Sequence, residues 1–183
     1  MNDPDPEGTI SAMRATAHPL RMRILSLLTG AALSAAEVAR ELEVTHANAS
    51  YHLRVLADAG LIVEAGEEKI RGGVAKRYRH PWESEDVMVS DGTREDAEHY
   101  VRVMAEELVH RYARRRLQPA RGNLTDAELW VTPEVHERVS ALLHESSVLL
   151  HAEAQRPHAP GTVPVAMTAA LFVLEDDRPE VQP

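Results

Sequence analysis

The chain has 183 residues, 44% hydrophobic and 27% charged, a globular balance that excludes wholesale disorder and leaves room for two modest units. Aromatics make up only 4%, which argues against base stacking as a mechanism, and the absence of cysteine excludes disulfides and thiolate metal sites. The net charge of −9 is uneven: residues 1–81 carry 10 Lys and Arg against 10 Asp and Glu, whereas residues 82–183 carry 10 against 19.

The leader MNDPDPEG (1–8) is acidic with no apolar run behind it, so it reads as disordered rather than as a secretory signal. A first helix is expected from Thr9 to Ala17 and stops at His18-Pro19, because the residue before proline leaves the helical region. Pro19 opens a second helix with an apolar face of Leu20, Ile24, Leu25, Leu27 and Leu28, ending at Gly30. Ser34-Ala35-Ala36-Glu37 is a capping box for a short third helix carrying Val38, Ala39 and Leu42. Thr45 caps a fourth, whose core face is Ala49, Leu53 and Leu56 and which ends at Gly60.

From Leu61 the pattern changes to two short strands, Leu61-Ile62-Val63 and Val74 to Arg79, joined by a loop holding Gly66-Glu67-Glu68 and Gly72-Gly73. Lys69, Arg71, Lys76, Arg77 and Arg79 make the stretch from Lys69 to His80 a basic strip without a carboxylate. Residues 9–81 thus read as a winged helix-turn-helix and 82–93 as a linker. A long helix follows from Arg94 to about Leu117, then a strand at Ala127 to Val131. A helix from Thr132-Pro133 to about Ala154, striped by Val135, Val139, Leu142, Leu143, Leu149 and Leu150, precedes a second strand within Val163 to Leu174. The expected class is mainly α (α+β). A DNA-binding winged helix-turn-helix precedes a helix-strand-helix-strand dimerisation and effector region (94–175), and 176–183 is a disordered tail.

Residues 13–63 resemble the arsenical-resistance repressor (ArsR) type of winged helix-turn-helix. The matching words are Arg14-Ala15, His18-Pro19-Leu20-Arg21-Met22-Arg23-Ile24-Leu25, Ala36-Glu37-Val38-Ala39, Ser50-Tyr51-His52-Leu53-Arg54-Val55-Leu56 and Ala59-Gly60-Leu61-Ile62. Their order and spacing carry the resemblance, over less than half of the chain. It implies a transcriptional repressor that binds an inverted-repeat DNA operator as a homodimer, often displaced by an inducer. The lack of cysteine departs from the thiolate sensors of arsenic, cadmium or lead.

A major groove admits one helix, whose first turns read base edges. On the helix from Thr45, the face away from the core holds Ala47, Asn48, Tyr51 and Arg54, flanked by His46 and Ser50. Asn48 suits adenine and Arg54 guanine or phosphate; Thr45, Ser50 and Tyr51 suit phosphates. His52 stands at the core boundary: the resemblance allows it to touch DNA, and its position allows it to pack against the hairpin. Lys69, Arg71 and Lys76 are the expected phosphate clamps of the wing, with Glu67 and Glu68 off the phosphate track.

On the long helix Ala97, Val101, Met104, Leu108 and Tyr112 form a stripe, expected to pack against the partner copy and against the first helix. Asp96, His99, Glu106 and His110 invite a metal hypothesis, and Glu106 and His110 at i and i+4 could share one ion; related regulators bind zinc on a dimer-interface helix. Surface or interface histidines are the expected role, so no metal or cofactor is assigned. His136-Glu137 and His144-Glu145 begin like zinc-protease motifs but meet Ser140 and Val148 where the second histidine is needed. No phosphate-binding glycine loop or nucleophile elbow occurs, so the chain reads as a non-enzyme. Trp130, Met167 and Phe172 could enclose a small apolar effector, and no window approaches the roughly 18 apolar residues of a membrane span. The reading is a cytoplasmic DNA-binding regulator; the competing one is a winged-helix protein-interaction module whose acidic half docks a basic partner.

Overall fold

A computed structural model describes residues 12–70, 73–84, 93–116 and 122–175. The expected leader, the wing tip with Arg71, most of the linker and the acidic tail lie outside the described residues. Helix α1 covers 12–16, followed by α2 (Pro19–Gly30), β1 (Leu33–Ser34), α3 (Ala35–Glu41), α4 (His46–Asp58), β2 (Val63–Ile70), β3 (Gly73–Arg79), a short 3-10 turn (Trp82–Ser84), α5 (Arg94–Ala113) and α6 (Pro133–Ala152). The three strands form one antiparallel sheet in the order β1-β3-β2. No described helix is long and apolar enough to cross a membrane.

The helix starts follow the sequence. His18 caps α2 by accepting from Leu20 N at 3.1 Å, and Ser34 and Glu37 exchange both bonds of the capping box of α3. Burial pushes the Glu37 carboxyl up, but the Ser34 bonds and the Arg77 guanidinium outweigh it and hold it below its ordinary range. Ile24, Leu28, Val38, Leu53 and Leu56 are fully buried and make the centre of a core shared by α2, α3 and α4.

The turn between α3 and α4 closes with Glu43 N bonded to Arg40 O and Val44 N to Ala39 O, which forces Glu43 to φ 55°. A side chain there strains the backbone, where glycine would not. At the end of α4 the same pair of bonds, Gly60 to Ala57 O and Leu61 to Leu56 O, is made with Gly60 at φ 72°, unstrained, and returns Leu61 to the core.

Several expectations are corrected. Gly66, Glu67 and Glu68 lie inside β2 rather than in a loop. The register shifts by one between Glu64 and Glu67, and Gly66 at φ 125° supplies the backbone that this bulge needs. The two-residue strand β1, which pairs Leu33 with Tyr78 and Ser34 with Arg77, has no counterpart in the sequence pattern. Helix α2 does end at Gly30 as expected, and the missing Cβ there admits a crossing backbone: a Cβ would stand 2.3 Å from Gln155 O. The expected strands at Ala127–Val131 and within Val163–Leu174 do not form, since 122–132 and 162–175 contain no strand. Pro164 has no N–H to donate, Ala166, Ala169 and Ala170 are weak strand formers, and no described strand pairs with either run. Helix α5 ends at Ala113 and α6 at Ala152, short of Leu117 and Ala154.

Helix α5 is held to the winged helix by charge. Glu107, 3% exposed, accepts from Arg23 of α2 at 2.8 Å and from Arg111 at 3.0 Å, and Arg14 of α1 pairs with Asp96 at 2.8 Å. Arg14 and the Thr93 hydroxyl hold the Asp96 carboxyl below its ordinary range.

Two stability outcomes are expected. Glu43→Gly should raise stability by about 1 kcal/mol in denaturant unfolding, the left-handed strain it removes; an unchanged or lower midpoint would contradict the strain. Glu107→Ala strands two partly buried guanidiniums and should cost roughly 2–4 kcal/mol, below the fully buried case because Arg23 and Arg111 retain some solvent. Loss of α5 helicity by circular dichroism should accompany it.

Candidate nucleic-acid interface

Helix α4 is divided by burial. Ala49, His52, Leu53 and Leu56 face the core, and Thr45, His46, Ala47, Asn48, Tyr51 and Arg54 are exposed, with Ser50 half-buried. Thr45 accepts from Asn48 N at 3.2 Å, which fixes the first turn and leaves the Asn48 amide side chain open to solvent. A helix bolted down on one side and polar on the other can lie in a groove without losing its packing.

His52 occupies neither of its anticipated places fully. Its ring is buried, lies 4.6 Å from the His18 ring at the start of α2 and 5.1 Å from Tyr51, and its Nδ1 is buried without a hydrogen bond. Its ring contacts are with His18 at the cap of α2 and with Tyr51. Half-buried Arg21 sits in the same cluster, its Nε buried without a partner and one terminal nitrogen donating to Arg14 O at 3.1 Å. Burial, then the charge of Arg21, pushes His18 below the usual histidine value, and burial, then the charges of His18 and Arg21, does the same to His52. The sequence pattern does not mark His18 and Arg21 as site residues; their only signal is the word His18-Pro19-Leu20-Arg21, which looks like a helix start.

The wing carries fewer open cations than its sequence promises. Lys69 is exposed with no ion pair among the described residues, but Lys76 is paired with Glu64, which raises its pKa. Arg77 donates to Ala32 O at 2.6 Å, Glu68 at 2.6 Å and Glu37 at 3.3 Å, tying β3 to β2 and α3. His80 is buried, its Nδ1 2.7 Å from Leu61 O. The strip that has no carboxylate in sequence meets Glu64 and Glu68 across the sheet.

Away from α4, Ala97 and Met104 are half-buried while Val101, Leu108 and Tyr112 are exposed. The buried side of α5 is instead Val103 and Glu107, one face over. His99, Glu106 and His110 are exposed, and no group of three His, Asp or Glu side chains among the described residues could hold a metal ion. Trp130 and Phe172 are open to solvent and Met167 is 39% exposed, so they wall no enclosed cavity. An open cleft of about 400 Å³ lies elsewhere, lined by Arg14, Ala17, Arg21, Glu95, Asp96 and His99.

A family model described as a helix-turn-helix domain matches residues 16–65, from the end of α1 into β2. No curated protein matches the chain. Residues 16–65 thus match a helix-turn-helix domain, which points to a DNA-binding regulator.

The histidine cluster has a pH signature. The folded state favours the neutral rings, so stability is fully present above the ordinary value of 6.5 and falls as pH drops below it, where the unfolded chain takes up the protons first. Between pH 6.5 and 5, before the carboxylates titrate, the melting temperature should decline, and His52→Gln should flatten that decline. Parallel pH profiles for the variant and the parent would refute it.

Proposed function

We propose that the chain is a sequence-specific DNA-binding transcriptional regulator of the ArsR type, a repressor that grips an inverted-repeat operator as a homodimer. The observation that carries this reading is the exposed Ala47, Asn48, Tyr51 and Arg54 face on a helix whose other side is anchored in the core. Asn48 can pair bidentately with adenine, Arg54 with guanine or a phosphate, and Thr45, His46, Ser50 and Tyr51 flank them at phosphate distance from the groove floor. Lys69 and Arg71 extend the phosphate contacts along the wing, with Lys76 contested by Glu64.

The exposed side of the Ala97 to Tyr112 stripe on α5 supports dimerisation, since Val101, Leu108 and Tyr112 are each at least 41% exposed. A twofold dimer would place two α4 helices on half-sites about 10 base pairs apart, one helical turn. Release by a small-molecule effector belongs to the same reading. The 400 Å³ cleft touches α1, α2 and α5 at once and mixes Arg14 and Arg21 with Glu95 and Asp96, a lining for a polar occupant rather than an apolar one. On this reading the protein acts in the cytoplasm.

Fluorescence anisotropy with the chain's own upstream DNA and a scrambled control, at two salt concentrations, tests the proposal. Expected is saturable binding at least 10³-fold tighter to the cognate DNA, with a log–log salt slope of roughly −4, about two phosphate contacts per protomer. Asn48→Ala should cost about 1–3 kcal/mol on the cognate site alone, and Lys69→Ala should weaken all sequences alike. Equal weak binding to both DNAs would refute the repressor and favour the interaction module.

A further inference from the structure

Helix α6 is twenty residues long and buries none of them. Near its C-terminal end His151 packs 5.6 Å from Trp82, and just past the helix Gln155 crosses Gly30 and His158 lies 3.2 Å from Glu41. Val135, Val139, Leu142 and Leu149 along it are 46%, 38%, 54% and 62% exposed. With Ser146 they fall at spacings of four, three, four and three, the 3.5-residue period of a two-helix seam, which a lone helix on a globular core does not keep.

Apolar side chains are exposed on α6 and on the segments before and after it. With Leu129, Trp130, Val163, Phe172 and Val173 also more than half exposed, residues 122–175 show on the order of 1,500 Å² of large hydrophobic side chains. A standard interface takes about 800 Å² from each partner, an area that the summed exposed side chains of this half can furnish. The charges beside the seam decide what covers it. Arg138 and Glu145 flank it on one side, seven residues apart, both exposed and without an ion pair among the described residues. When two copies of α6 run antiparallel with Val139 opposite Leu142, Arg138 of each helix comes beside Glu145 of the other, and the symmetry makes the pair twice. In a parallel pair each would face an apolar or histidine position instead.

We propose that α6 is a self-association surface, on which two copies of this chain pair antiparallel through Val135, Val139, Leu142, Ser146 and Leu149, with Arg138 and Glu145 setting the direction. The proposal rests on the homodimer reading and not on the operator. It gives the second half of the chain a defined role. Because the end of α6 is fastened at Gly30 and Glu41, the pairing fixes the distance between the two winged helices.

Sedimentation equilibrium of the full-length chain tests it. Leu142→Glu and Arg138→Glu should each weaken dimerisation, by roughly tenfold for the first and several-fold for the second. Adding Glu145→Arg to Arg138→Glu should restore the parent affinity. The chain has no cysteine of its own, so oxidation of a mixture of Val139→Cys and Leu142→Cys chains should give a disulfide-linked dimer that neither gives alone. Unchanged far-ultraviolet circular dichroism will show that the variants still fold, since a weaker dimer by itself lowers the melting temperature. If Val139→Cys cross-links alone as fast as in the mixture, or the charge exchange restores nothing, the antiparallel pairing is wrong. A dimer unaffected by Leu142→Glu but broken by Leu108→Glu would move the interface to α5 and leave the homodimer standing. A chain that is monomeric throughout overturns both, while cognate DNA binding would still be measured independently.

Discussion

Three side chains on one side of α4 hold the rest of the molecule to its purpose. Ala49, Leu53 and Leu56 are essentially without solvent contact and interlock with Ile24, Leu28 and Val38. An α-helix that buries one stripe must turn the opposite stripe outward, so the burial that stabilises the domain also presents Asn48, Tyr51 and Arg54. Both ends of α4 are set by local bonds, Thr45 to Asn48 N at its start and Leu61 to Leu56 O past its end. The exit at Gly60 sends the chain straight into β2, which is why a wing stands next to the exposed face.

The wing is tied to α3 and to the segment before it through the Arg77 guanidinium. Arg77 bonds the carbonyl of Ala32, the Glu37 carboxylate of the α3 capping box and Glu68 of the neighbouring strand. A cation engaged by three acceptors inside the domain is not free for phosphate. Affinity for a polyanion therefore falls to the cations without such partners, and charge counting along the sequence overstates it.

The second half is held together differently. Helix α5 is fastened by the Arg23–Glu107–Arg111 and Arg14–Asp96 bridges rather than by a broad apolar face, and its apolar stripe is turned mostly to solvent. Helix α6 continues this pattern to its limit, with no buried residue at all. Apolar side chains thus stay exposed on two successive helices, the surface on which the proposed self-association rests.

The sequence alone determined the helices of the first half, because their signals are local. Pro19, Ser34 with Glu37, Thr45 and Gly60 act within a few residues of themselves, and the three- and four-residue spacing of Ala49, Leu53 and Leu56 declares the buried face of α4 without knowledge of what covers it. Only the tertiary structure decided the rest. Whether Lys76 and Arg77 are open depends on Glu64 and Glu68 lying across a sheet; whether Glu107 is buried depends on Arg23, eighty-four residues earlier. The apolar run from Val163 to Leu174 has the look of a strand, yet a strand exists only where another strand bonds to it, and no local pattern can state that such a partner is present. The helix that opens at Thr45 is legible because its determinants travel with it, and the surroundings of His52 are not because they come from α2.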